Sequence, residues 1–162
     1  MKKQTKNIIL TFVAAVAIPL AIGGLSAFLT RDNMNIYEEI ITPPLSPPAF
    51  LFPIVWTILY VLMGVSSGLI WRKRKEDKEK ADNALLIYLA SLVFNFIWSI
   101  LFFNFRFFLF SFAWLTVLLI LIIFTVRGYR RLCPIAAYIQ IPYCIWVAFA
   151  GYLNLAIYIL NR

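Results

Sequence analysis

The sequence predicts an all-α integral membrane protein, a single domain over residues 1–162 built as a five-transmembrane-helix bundle with its N-terminus in the cytoplasm. Three observations lead there. The chain is 63% hydrophobic with a mean hydropathy of +0.87, well beyond the roughly 45–50% apolar content of ordinary globular proteins. Its apolar residues gather into five uncharged stretches, 8–29, 49–71, 84–105, 107–126 and 132–160, each at least as long as the ~20 residues a membrane-crossing helix needs. Its basic residues lie mostly on one side of those stretches.

The first stretch follows Lys2, Lys3 and Lys6, as a signal peptide would. Its apolar core is longer than the roughly 7–15 residues of a signal-peptide core, and Pro19 with Gly23-Gly24 suits a helix packed among others. An outer loop, residues 30–48, comes next. It is acidic (Asp32, Glu38, Glu39) and ends in Pro43-Pro44-Leu45-Ser46-Pro47-Pro48, prolines that stiffen the chain where the second helix starts. A lid and a passive connector are both open readings of such a loop. Basic clusters flank the later stretches: Arg72, Lys73, Arg74, Lys75, Lys78 and Lys80 after the second, and Arg127, Arg130 and Arg131 after the fourth. With the N-terminal lysines these make twelve of the 15 Lys and Arg, against Arg31, Arg106 and Arg162 on the other side. The bias puts the N-terminus inside and the C-terminus outside.

Composition narrows the chemistry. The net charge of +8 marks topology rather than a nucleic-acid face, since it lies in the short segments between spans. Histidine is absent, which removes the commonest general base and metal ligand, and no metal site is predicted. Cys133 and Cys144 stand eleven residues apart, about 16 Å of helical rise and beyond disulfide reach, so both read as packing residues. No ionisable acid or base falls within a span, which argues against a proton- or ion-coupled transporter, as does the odd span number.

The tryptophans are the informative residues. Trp71 sits beside Arg72 and belongs to the inner interfacial belt. Counting ~1.5 Å per residue, Trp56, Trp98, Trp114 and Trp146 all fall in the outer half of the bilayer. Asn95 and Asn154 share that depth, with Gln140 lower. Aromatic rings and a few amides beneath a long loop describe a pocket for a flat apolar ligand. Depth alone leaves a second reading equally open, in which the amides join helices and the rings fill space. Tyr143, Trp146, Ala150, Leu153 and Asn154 form one stripe on the fifth helix, and Trp56 and Tyr60 pair at i, i+4 on the second. Pro142 is expected to kink the fifth helix beside Trp146. Gly64-Val-Ser-Ser-Gly68 and the Ser91, Asn95, Ser99 ridge suit close helix packing, within the chain or between copies.

These residues carry a resemblance. The run Pro47-Pro48-Ala-Phe-Leu-Phe-Pro53-Ile-Val-Trp56-Thr-Ile-Leu-Tyr60-Val-Leu-Met-Gly64 resembles the second helix of the translocator protein family, also known as tryptophan-rich sensory protein or peripheral benzodiazepine receptor. Asn95-Phe-Ile-Trp98-Ser99-Ile-Leu-Phe102-Phe103 with Arg106 resembles its third helix. Pro142-Tyr143-Cys-Ile-Trp146-Val-Ala-Phe149-Ala150-Gly-Tyr-Leu153-Asn154 resembles its fifth.

The resemblance implies a bacterial five-helix receptor, usually a homodimer, in the plasma membrane. It implies binding of porphyrins such as protoporphyrin IX and of isoquinoline or benzodiazepine-type drugs, with no tightly bound cofactor. It also implies light- and oxygen-dependent porphyrin degradation, for which Trp56 and Trp146 would be the catalytic residues. Ser26, Trp56, Tyr60, Asn95, Trp98, Phe110, Tyr143, Trp146, Ala150 and Leu153 are the expected ligand contacts. Ile36, Leu45, Phe50 and Phe110 stand where the family often has Trp. The cholesterol-recognition pattern of animal members is not matched at its aligned place, where Leu155 follows Asn154. A porphyrin carrier and a ligand-tuned oligomeric scaffold, assembled through Gly64/Gly68 or the third-helix ridge, are the alternative functions.

Overall fold

The computed structural model describes residues 2–162, with side chains from residue 4 onward; the side chains of Lys2 and Lys3, counted above as inner charges, lie outside the described residues. The five long apolar stretches become five long helices, each apolar enough to cross a membrane. They are α1 (Lys2–Thr30), α3 (Leu51–Lys73), α4 (Lys78–Ser99), α5 (Phe108–Leu132) and α6 (Pro134–Leu160). A short helix in the outer loop, α2 (Ile36–Glu39), follows a 3-10 turn at Arg31–Asn33. α1 packs on α3, α3 on α6, α6 on α5, α5 on α4 and α4 back on α1, so the helices close a ring.

The helices overrun the uncharged stretches at their cytoplasmic ends. α5 continues through Arg127, Arg130 and Arg131, and α4 begins at Lys78. Charge ends the lipid-compatible segment but not the helix, because long basic side chains reach water while their stems stay apolar. Basic residues also suit a helix C-terminus. The break between α5 and α6 falls at Cys133, which is extended (φ −153, ψ 98) and leads into Pro134 at the first helical position. Asp77 caps α4, accepting from the Lys80 backbone N–H at 3.0 Å. Beside it, Arg74 and Lys78 both pair with Asp82.

Gly64 and Gly68 face α1. A Cβ on Gly64 would run into the backbone of Val16, and one on Gly68 into the Phe12 ring. Small residues here let the two backbones approach. The polar ridge is also internal: Ser91 and Asn95 are buried, and Ser91 and Ser99 donate to carbonyls of their own helix. Both surfaces expected to serve a scaffold are therefore occupied within the chain.

At its outer end α4 widens into a π-helical turn, Ile100–Asn104, closed by the Phe105 N–H on the Ile100 carbonyl at 3.2 Å. Such turns re-aim side chains relative to a regular helix. Arg106 then takes a left-handed conformation (φ 54) to reverse the chain into α5.

Candidate functional site

The outer half of the ring encloses a cavity of about 210 Å3 between α1, α3, α4 and α6, roofed by the outer loop. Its walls are aromatic. Trp56 stacks on Tyr60 (5.5 Å between centroids) and tilts against Trp98 at 6.4 Å. Trp98 stacks on Phe102 at 5.5 Å, and the π turn presents Phe102 and Phe103 edge-to-face at 5.0 Å. On the roof side Tyr37 stacks on Phe52 at 5.2 Å, and Phe52 meets Trp146 edge-on at 6.0 Å. Each such pair contributes roughly 0.5–1.5 kcal/mol beyond its buried area. Gly23, Ser26 and Thr30 of α1 complete the wall, with Ala150, Leu153 and Asn154 of α6.

A few polar groups set the geometry. Asn154 ties three helices: its carbonyl accepts from Trp98 Nε1 at 3.1 Å, and its amide donates to the Phe108 carbonyl at 2.7 Å. Asn95 donates to the Tyr60 hydroxyl at 2.9 Å, fixing that ring at the cavity floor. Trp146 differs. Its Nε1 is buried and has no hydrogen-bond partner among the described residues. Among the described residues, no Asp, Glu, Lys or Arg lines the cavity.

The roof is fastened at several points. Arg106 pairs with Glu39 at 2.8 Å. The Asn161 amide makes two 2.9 Å bonds to Ile41, one to its N–H and one to its carbonyl, and the Tyr152 hydroxyl donates to the Pro44 carbonyl at 2.9 Å. Asn33 bonds Asn104 at 2.9 Å.

Seven of the expected contacts, Ser26, Trp56, Tyr60, Trp98, Trp146, Ala150 and Leu153, come together on this cavity. Three do not. Asn95 and Tyr143 stand one layer behind it, against Tyr60 and against the Trp56 ring (6.2 Å). Phe110 is misplaced by the sequence reading: it is 54% exposed on the outside of α5, beside Trp114. Trp114, also expected near the site, stacks on Phe94 at 4.4 Å and donates to the Phe94 carbonyl. Trp56 and Trp146 share the cavity without touching ring to ring, each bounded by other aromatics. Tyr37, Phe52, Phe102 and Phe103 were not anticipated. Phe52 was within reach, since it stands at i−4 from Trp56 on the same face. Tyr37 lies in the loop, where no periodicity points to it.

Comparison with known proteins agrees with this architecture. The TspO/MBR family model matches residues 15–160. The chain belongs to the TspO/MBR family. The chain is 31% identical to the tryptophan-rich protein TspO of Chlorobaculum tepidum across 99% of both chains. It is 34% identical to that of Archaeoglobus fulgidus, over 94% of this chain and 98% of the relative. Similarity extends to the translocator protein of Bos taurus, at 32% over 88% of this chain and 85% of the relative. The chain is thus a multi-pass membrane protein of the translocator kind.

Proposed function

We propose that this protein is a plasma-membrane receptor for flat, apolar tetrapyrroles such as protoporphyrin IX, held beneath the outer loop. One observation carries the reading: Trp56, Trp98 and Trp146 line a single cavity to which, among the described residues, no charged side chain contributes. Flat rings stack on indoles, and a largely aromatic lining with a few polar groups suits a flat apolar ligand.

At about 210 Å3 the cavity is smaller than the ~300–1,000 Å3 of ordinary ligand clefts. A macrocycle therefore enters only if the roof yields, with Tyr37 swinging off Phe52 and Phe52 off Trp146. This makes the loop a lid. The carrier reading draws less support, because Asn95, Tyr60 and Tyr143 close the floor. The homodimer implied by the resemblance would use outward-facing surfaces, since the glycine and serine faces are covered.

The test is titration of protoporphyrin IX into purified protein, followed by tryptophan quenching and the porphyrin absorption band. Saturable binding that weakens in Trp56→Phe and Trp146→Phe is expected; equal binding by wild type and both variants would remove the site from this cavity. Illumination in air tests degradation. The excited macrocycle takes one electron from an indole and hands it to dioxygen, leaving a tryptophan radical cation and superoxide that can attack the ring. Bleaching at the same rate in Trp56→Phe and Trp146→Phe as in wild type sinks that chemistry and leaves the receptor intact.

A further inference from the structure

The inner half of the bundle holds a second recess that the porphyrin reading leaves unused. Between α1, α3 and α4 a groove of about 360 Å3 opens sideways toward lipid, walled by Leu10, Ala14, Ile18, Leu85 and Leu89. From Leu10 to Ile18 it follows α1 for about 12 Å, close to the ~15 Å hydrocarbon depth of one leaflet. Thr11 and Trp71 border this groove and also a polar recess of about 790 Å3 at the cytoplasmic end, so the two adjoin. The polar recess is walled by Gln4, Asn7, Arg72, Lys73, Arg74 and Lys75. Glu76 engages Lys73, and Asp82 engages Arg74. Arg72 and Lys75 are exposed and have no ion-pair partner among the described residues.

We propose that the paired recesses bind one anionic phospholipid of the cytoplasmic leaflet, with an acyl chain in the groove and the phosphate against Arg72 and Lys75. The argument is charge complementarity joined to geometry. A purely apolar ligand would use only the groove, and a soluble phosphate only the basic recess. An amphiphile lying along the helix axes, with its headgroup level with Trp71, fills both. Basic pockets on the cytoplasmic side between helices suit such headgroups.

The test uses the full chain in detergent, titrated with phosphatidylglycerol and with phosphatidylcholine of the same chains, bound lipid being counted by native mass spectrometry. Phosphatidylglycerol should bind markedly tighter. A basic residue near an anionic headgroup is worth roughly fivefold in affinity, so Arg72→Gln with Lys75→Gln should weaken binding about thirtyfold. Arg130→Gln with Arg131→Gln removes the same charge from the same side, away from the groove, and should cost less than about threefold. Leu89→Trp, which fills the groove from its lipid face, should weaken binding with both basic residues intact. Melting without added lipid checks that each variant is folded. Equal losses in the two double variants would mean diffuse surface attraction and overturn the proposal. So would equal affinity for the two lipids, unchanged binding in Leu89→Trp, effective competition by inorganic phosphate, or a lipid effect seen only as dimerisation.

Discussion

Two adjacent glycines on α1 give a controlled test of how the cavity floor is built. A Cβ on Gly23 would overlap the Tyr60 ring, whereas one on Gly24 meets nothing within 4 Å. Tyr60 cannot yield freely, because it stacks on Trp56 at 5.5 Å and its hydroxyl holds Asn95 at 2.9 Å. Gly23→Ala must push α1 outward or turn the ring away. Turning it forfeits a stacked pair worth roughly 0.5–1.5 kcal/mol and an interhelical hydrogen bond worth about 0.6 kcal/mol. Holding it there instead brings an overpacking strain of about 1–3 kcal/mol. Either route costs about 2 kcal/mol of folding stability, and a displaced Tyr60 ring should also weaken binding over the floor it forms. Gly24→Ala meets no obstacle and should be neutral, or stabilising by the ~0.5–1 kcal/mol that separates Ala from Gly in a helix. Porphyrin titration and thermal melting of the two variants side by side provide the assay. If Gly23→Ala binds and melts like wild type, Tyr60 does not form a rigid floor and the packing argument is wrong.

Asn154→Leu should lower stability by about 2 kcal/mol, since two interhelical bonds are lost and the Trp98 N–H is stranded in the core; denaturation in detergent reads it. Phe110→Ala should leave porphyrin affinity within about twofold of wild type, because that ring lies outside α5, and a large loss in the titration would place the ligand elsewhere. Hydrogen bonds from the Lys80 side chain and backbone hold the Asp77 carboxyl below the usual carboxylate range. Its folded value lies under the unfolded ~3.9, so its stabilising contribution is present above that pH and lost as pH falls through the folded value. The melting difference between wild type and Asp77→Ala should accordingly be full at neutral pH and shrink in acid.

The span pattern was legible because lipid contact demands long uncharged runs, a constraint local to each stretch. Helix ends were less so, since Arg127 and Lys78 mark where lipid stops rather than where hydrogen bonding stops. Depth correctly grouped Trp56, Trp98 and Trp146, yet it fixes only height along the bilayer normal. Which way a residue points around its helix depends on the neighbours. Trp114 shares that height and faces away. The stripe on α6 did carry this second coordinate, so Trp146, Ala150, Leu153 and Asn154 were readable together, with Tyr143 one turn deeper. Phe102 and Phe103 could not be placed by a 3.6-residue count, because the π turn breaks it. The acyl-sized groove had no sequence signal, since it is a gap between three helices.

The fastenings around the cavity are unequal, and that inequality decides how a ligand exchanges. The floor and walls depend on buried bonds from Asn95 and Asn154, whose loss strands polar groups in an apolar interior. The roof depends mostly on exposed ones. The Arg106–Glu39 pair has side chains 44% and 54% exposed, and exposed pairs contribute about 0.2–1 kcal/mol. The bonds of Asn161 and Tyr152 to Ile41 and Pro44 are exposed too, so water can replace them when they break. Ile36 is the exception, fully buried, and it pins the start of the loop. The stretch from Ile40 to Pro48 can therefore lift at a cost of a few kcal/mol, freeing the Tyr37 side chain to turn out of the cavity while Ile36 stays docked. Opening the floor would instead break the aromatic and amide core that holds the five helices in register. A ligand should therefore enter and leave on the outer side only, as a receptor requires and a carrier could not tolerate.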